Sequence, residues 1–284
     1  YPDRPIKLIV PFPSGALTDA LGRLVAEQLR TALGQPLVVM NRPGAGTLLG
    51  ASQVAKSPAD GYTLMVATST TLAISPAMYA TPAAVTSDFV GVAMIGAVSL
   101  LLVTRADMPA RTLPELVAEI RKQPGRYNFA SPGIGTMHHL VLEMIKAKED
   151  LKATHVPYQG SMGALTDLLS GRIDFMFLDA VAAMPQVQAG KLRVIALAAP
   201  KRSAALPDVP TVAETYPQMD VYAWQTIAAP RATPPEIVER LNAEINKLLG
   251  TAEMRAALEK VGVAADAMRH PVSTSCRLEH GLEP

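Results

Sequence analysis

Three short stretches of this chain place hydroxyl side chains, in two of them with glycine, just ahead of a helical or polar run. They are Pro13-Ser14-Gly15-Ala16-Leu17-Thr18-Asp19, Thr68-Ser69-Thr70-Thr71 and Ser131-Pro132-Gly133-Ile134-Gly135-Thr136. The first and third lead directly into helical patterns. The first amides of a helix have no intrahelical acceptor, and the helix dipole favours negative charge there. Such a junction binds an anion without Arg or Lys, and glycine lets the backbone come close. The two junctions would suit a molecule with a carboxylate at each end. The same residues also build ordinary capped turns, so composition alone leaves both readings open.

Other chemistry finds less support. Gly44-Ala45-Gly46-Thr47-Leu48-Leu49-Gly50 resembles a loose dinucleotide fingerprint. Its spacing is one residue too long, and the next strand ends in Thr68, not in an acid that could hold a ribose. Gly160-Ser161-Met162-Gly163 lacks the spacing of a nucleophile elbow, and Ser161 reads as a helix cap. His138 and His139 are neighbours, so on a helix they point about 100° apart and cannot share a metal. His139 and Glu143 lie one turn apart, but no third ligand is evident. Asp179, at a strand end, suits either the cleft or the cap of the next helix. Trp224 and the methionines read as core. No catalytic constellation and no cofactor site can be assembled.

These loops need elements to hold them, and the first half alternates β-branched runs with helical patterns. Residues 6–10 read as a buried strand. Leu21, Leu24, Val25, Leu29 and Leu33 recur at helical spacing, with Thr18 as N-cap and Gly34 as the stop. Strands follow at 37–40 and 63–67, with a short helix between them. This order predicts a parallel sheet flanked by helices. The pattern restarts after Thr104. Helices are expected over 113–120, 137–145 and 161–170, with a fourth ending near Gly190, and strands at 128–130, 154–156, 173–178 and 192–198. A Pro-rich crossing over 200–217 leads to a strand at 221–228 and an amphipathic helix after Pro234-Pro235. The tail is expected to return to the first unit. The expected fold is therefore α/β, with two lobes and a cleft between them: residues 1–100 plus 222–284 in lobe 1, and 101–221 in lobe 2.

A chain of 284 residues, 49% hydrophobic, has enough apolar material for two cores. Its 26 basic and 25 acidic residues are dispersed, which argues against nucleic acid as a partner. The longest apolar stretch, 92–103, is broken by Gly96 and Ser99 and is too short to span a bilayer, which needs about 20 apolar residues. The single cysteine, Cys276, excludes both an internal disulfide and a cysteine-rich zinc module. The start at Tyr1-Pro2-Asp3, without Met, reads as that of a processed chain.

Several motifs resemble those of the Bug family, the extracytoplasmic solute receptors of tripartite tricarboxylate transporters. Val10-Pro11-Phe12-Pro13-Ser14-Gly15-Ala16-Leu17-Thr18-Asp19 is similar to the family's V-P-F-P-P-G-G-x-T-D loop. Asn41-Arg42-Pro43-Gly44-Ala45-Gly46, with Gly50-Ala51, resembles N-R-P-G-A-G-G-x-x-G-A. Asp60-Gly61-Tyr62-Thr63-Leu64 matches D-G-Y-T-L, and Val156-Pro157-Tyr158-Gln159-Gly160 resembles V-P-Y-K-G. Gly171-Arg172-Ile173-Asp174, Val209-Pro210-Thr211 and Ala229-Pro230 fit as well. The resemblance runs from residue 1 to about 265.

It implies a type II periplasmic-binding-protein fold: two α/β lobes closing on a small carboxylate, whether a di- or tricarboxylate, an amino acid or an aromatic acid. It implies a periplasmic, monomeric receptor that catalyses nothing, uses no cofactor or metal, and works with membrane transporter subunits. A sensing role at the membrane in place of transport is the alternative. Carried over, the ligand would meet Phe12, Ser14, Gly15, Ala16, Leu17, Thr18 and Asp19, then Ser69 and Thr70, then Ser131, Gly133, Gly135 and Thr136, and Asp179. Ser14 and Ala16 depart from the family's Pro and Gly in the carboxylate loop. Thr47 replaces a Gly, and residues 268–284 do not resemble the family's last helix.

Overall fold

The first helix shows how the chain builds its layers. Leu21, Val25, Leu29 and Leu33 repeat every four residues and are all buried, and Gly34 ends the helix at φ 68° with its N–H on the Arg30 carbonyl. A Cβ at Gly22 would fall 3.0 Å from Val10 Cγ2, so this residue lets the helix sit close on the sheet. The computed structural model describes residues 1–79, 83–199 and 201–264.

The first unit runs β1 (Ile6–Val10), α1 (Leu17–Leu33), β2 (Leu37–Asn41), α2 (Leu48–Ala55), β3 (Thr63–Thr68), α3 (Ser75–Met78) and β4 (Phe89–Val98). The chain then crosses at a single residue, Ser99. The second unit runs β5 (Leu100–Arg105), α4 (Leu113–Lys122), β6 (Asn128–Ser131), α5 (Met137–Lys148), β7 (Thr154–Pro157), α6 (Ser161–Leu169), β8 (Phe175–Asp179), α7 (Ala180–Gln188), β9 (Leu192–Ala198) and α8 (Val212–Thr215). The return brings β10 (Ala223–Pro230), α9 (Pro235–Leu249), α10 (Ala252–Lys260) and β11 (Val263–Ala264).

Two sheets result, ordered β11-β4-β10-β3-β1-β2 and β7-β6-β8-β5-β9. Their cores follow the two-residue period of strands. In the first, Ile6, Leu8 and Val10 face α1 and α9, while Ile9, Met65 and Ala67 face α2. In the second, Leu100, Leu102, Phe175 and Phe177 face α4 and α5, while Leu101, Val103, Met176 and Leu178 face α6 and α7. Each of these large side chains contributes about 1.5–3 kcal/mol by leaving water.

The structure departs from sequence expectation at three places. The sheets are mixed: β1 pairs in parallel with β2 and β3, but β10 and β11 run antiparallel to β4, and β5 antiparallel to β8 and β9. The apolar run at 92–103 lies within two strands, one per sheet. It reads as one run because both faces of each strand are buried. The N-cap of α1 is Ala16 (φ −71°, ψ 160°), not Thr18, whose side chain points into the cleft region instead. The tail from residue 265, with Cys276, lies outside the described residues.

Candidate functional site

A cavity of about 80 Å³ lies between the two sheets. That is room for several waters or a small organic ion. Its walls come from the strand–helix junctions. Phe12, Pro13, Ala16, Leu17 and Thr18 come from the junction of β1 and α1, and Thr68, Ser69 and Thr70 from the end of β3. Pro132, Thr136, Met137 and His138 come from the junction of β6 and α5, Gly160 and Ser161 from that of β7 and α6, and Asp179 from that of β8 and α7. Val98, Ala223, Trp224 and Gln225 close the side where the chain crosses between the sheets.

Four helix N-termini therefore meet at this cavity. Neither α1, α6 nor α7 has a side-chain cap; α5 is capped by Thr136, whose Oγ1 accepts from the His139 amide. The uncapped ends leave backbone donors with no partner in their own helix. Among the described residues no Lys or Arg lines the cavity. Peptide dipoles at the helix ends favour an anion without any cation.

Several lining side chains are also unmatched. Ser69 Oγ has no hydrogen-bond partner, and Ser69 is 3% exposed. Gln225, 5% exposed, donates from Nε2 to Thr18 Oγ1 at 3.1 Å and leaves Oε1 without a partner. His138 has neither ring nitrogen hydrogen-bonded. Its Nε2 lies 3.4 Å from Asp179 Oδ1, at ion-pair distance but without hydrogen-bond alignment.

Of the residues expected from sequence, Phe12, Ala16, Leu17, Thr18, Ser69, Thr70, Thr136 and Asp179 line the cavity. The others hold the loops from behind. Asp19 accepts from the Gly15 amide (2.9 Å), Ser14 Oγ (3.3 Å), Arg23 Nε (3.1 Å) and Asn41 Nδ2 (2.9 Å). Burial raises its carboxyl pKa, but the bonds from Arg23, Gly15 and Asn41 outweigh this and hold it below the usual range. Asp19 thus pins Ser14 and Gly15 in place. The Ala16 amide donates to Pro13 O at 3.3 Å, so the free amides of this junction begin at Leu17.

Ser131 is fully buried and equally committed. Its hydroxyl donates to Gly133 O (3.0 Å) and accepts from the Gly133 amide (3.3 Å), which leaves His155 Nε2 as a donor to the same oxygen at 2.7 Å. Next to it, His139 Nδ1 accepts from the Gly135 amide (3.3 Å), and the two imidazoles stack with centroids 4.1 Å apart. Two neutral histidines therefore brace the 131–136 loop. Burial, then the neighbouring His139, pushes His155 down to about 4, and burial lowers His139 as well. The unfolded chain binds these protons near pH 6.5, so the stability of the neutral pair is whole above that value and is lost as pH falls towards 4. Unfolding midpoints measured across pH 7 to 4 should fall over this window, and less steeply in His155→Gln.

Sequence reasoning missed Met137, Gly160, Trp224 and Gln225 as lining residues, and gave His138 and Ser161 other roles. Gly160 and Ser161 were accessible to the rule that found the other junctions, since they too join a strand to a helix. Ser161 is the first residue of α6 and Gly160 its N-cap. Gln225 sits inside β10, where nothing local marks it. The His139–Glu143 pair, 3.7 Å apart, is completed by Lys146 on Glu143. Among the described residues no three His, Cys, Asp or Glu side chains could hold a metal.

The lobes meet at the cavity mouth. A Cβ at Gly135 would fall 2.6 Å from Met78 Sδ across the cleft, and one at Gly160 would fall 3.9 Å from Pro13 Cγ.

Residues 21–271 match the model of the tripartite tricarboxylate transporter family receptor. The chain belongs to this family. Protein BugT of Bordetella pertussis is 39% identical over 255 residues, 88% of this chain and 77% of its own length. Among solved receptors, a Rhodopseudomonas palustris protein with adipate superposes with a TM-score of 0.87 at 35% identity, over 93% of this chain and 89% of its own. The MatC protein of Rhodopseudomonas palustris, with bound malate, gives 0.85 at 32% identity over 93% and 91%. These receptors share the two-lobed α/β fold described above. In this family member no helix of the described residues is long and apolar enough to cross a membrane.

Proposed function

We propose that this receptor captures a small carboxylate outside the cytoplasm, in the periplasm, and presents it to the membrane subunits of a tripartite tricarboxylate-type transporter. One observation carries the reading: three uncapped helix N-termini and one capped one converge on a cavity that no Lys or Arg of the described residues lines. Amides grip carboxylate oxygens wherever they lie within hydrogen-bond reach, and dipoles supply the charge. The adipate- and malate-bound relatives support this ligand class. No chemistry is assigned to the site. A monomer suffices, since both walls of the cavity come from one chain.

On this reading the lobes are built from β1–β4 with β10, α9, α10 and β11, and from β5–β9 with α8. Ser99 and the chain between α8 and β10 then act as hinges, and ligand-driven closure is what the membrane partner reads.

A thermal-shift screen with mono-, di- and tricarboxylates, amino acids and aromatic acids tests the proposal. A ligand at about 100 times its Kd adds about 2.7 kcal/mol, or a few degrees of midpoint. A shift confined to one class of acid is the expected result. A flat screen on protein freed of endogenous ligand by unfolding and refolding would overturn it.

A further inference from the structure

We propose that the site selects an acid that carries a hydrogen-bond donor, an amino or hydroxyl group, beside its carboxylates, and that Asp179 reads this donor. The inference rests on the carboxylate reading and narrows it to a substrate class.

A cavity built only for carboxylates needs donors alone. This one is divided. The helix ends of α1, α6 and α7 and the Ser69 hydroxyl donate. The Asp179 carboxylate and Gln225 Oε1 accept. A carboxylate offers no proton to another carboxylate and repels it. So Asp179, which the sequence groups with the carboxylate-gripping loops, does the opposite of gripping.

Of two ordinary uses of an Asp at this position, one is unfilled and the other is met only by a histidine. It stands at the N-cap of α7 yet makes no capping bond. Among the described residues no Lys or Arg lines the cavity to neutralise it, and its one ion-pair partner there, His138 Nε2 on α5 at 3.4 Å, carries a charge only when protonated and makes no hydrogen bond to it. Its side chain is only 13% exposed, so water screens it poorly. Across the cleft, Gln225, which lines the same cavity, holds Thr18 with one end of its amide and leaves the buried oxygen at the other end without a partner. A donor-bearing ligand satisfies these acceptors while its carboxylates take the helix ends. An unsubstituted diacid leaves them unpaired and adds like charge. An ammonium group answers Asp179 better than a hydroxyl, because it also cancels the charge.

Matched acids test this by calorimetry on the whole chain: succinate, malate and aspartate, then glutarate, 2-hydroxyglutarate and glutamate. In the wild type the donor-bearing member of the better-bound series should bind about tenfold or more tighter than the plain diacid, since a site built around a substrate donor rejects the analogue that lacks it. Asp179→Asn keeps the shape and removes the charge. It should cut the amino acid's advantage and strengthen the plain diacid, with the unfolding midpoint held. A plain diacid that binds as tightly as its substituted partners overturns the inference, as does a preference that survives in Asp179→Asn. Binding by none of the six, while another carboxylate class shifts the midpoint, refutes this substrate class and leaves the carboxylate reading standing. No binding by any carboxylate ends both.

Discussion

Ser161→Pro should lower affinity roughly 10–100-fold for whichever acid gives the largest thermal shift. Ser161 is the first residue of α6, and its amide has no intrahelical acceptor and no cap. Proline suits that position, because its fixed φ is already helical and the lost N–H was free. Gly160, at φ 104° and ψ 167°, lies outside the α region that a following proline disfavours. The substitution therefore removes one donor at the cavity wall and leaves the helix intact. A hydrogen bond to a charged group contributes about 1.5–3 kcal/mol, and each 1.4 kcal/mol is tenfold. Ser161→Ala keeps the amide and should bind nearly as the wild type. Calorimetry on both variants decides the point. Equal affinity for Ser161→Pro and wild type would remove α6 from the anion site.

Asp19→Ala should cost about 3 kcal/mol of stability and lower the unfolding midpoint by roughly 6–12 °C. The Asp19 side chain is 4% exposed and accepts four hydrogen bonds, two of them from the neighbouring loop residues Ser14 and Gly15. Removing it takes away the acceptor of the Gly15 amide and one of the two acceptors of Asn41 Nδ2, which keeps only the Phe12 carbonyl. The contrast is Arg23→Ala. The Arg23 side chain is 53% exposed, so its share of the ion pair should be worth less than about 1 kcal/mol. The pH dependence has a definite sign. Because the folded pKa of Asp19 is depressed, its contribution is present above about pH 4 and is lost as pH falls through the folded value. The wild type should therefore lose stability there faster than Asp19→Ala. Binding should weaken in Asp19→Ala as well, because the loop that leads into α1 is no longer pinned. A midpoint shift as small as that of Arg23→Ala would show that the buried hub is not needed.

Much of the fold was legible because its signals are local. Leu21 through Leu33 mark α1 by their spacing, and Gly34 ends it where only a left-handed residue fits. Glycine and hydroxyl residues at strand–helix junctions marked the first wall of the cavity, since free amides occur wherever a helix begins. The mixed sheets were not legible. Val92 to Val103 shows no alternation, for both faces of β4 and β5 are buried, and a continuous apolar run does not reveal a crossing at Ser99.

The roles of single residues divide in the same way. Asp19, Ser131 and Asp179 look alike in sequence: polar groups at the ends of strands and starts of helices. Asp19 and Ser131 are taken up by their own loops, while Asp179 faces the cavity with no bond of its own. Gln225 joins the site from the middle of β10, through pairing with β3 and β4 far away in the chain. By itself the sequence determined the alternation of strands and helices, the donor-bearing junctions and the family. The tertiary structure alone decided which polar groups line the cavity. A hydrogen-bonding group goes to the nearest available partner, and which partner is nearest depends on how two sheets, distant in sequence, come to face each other.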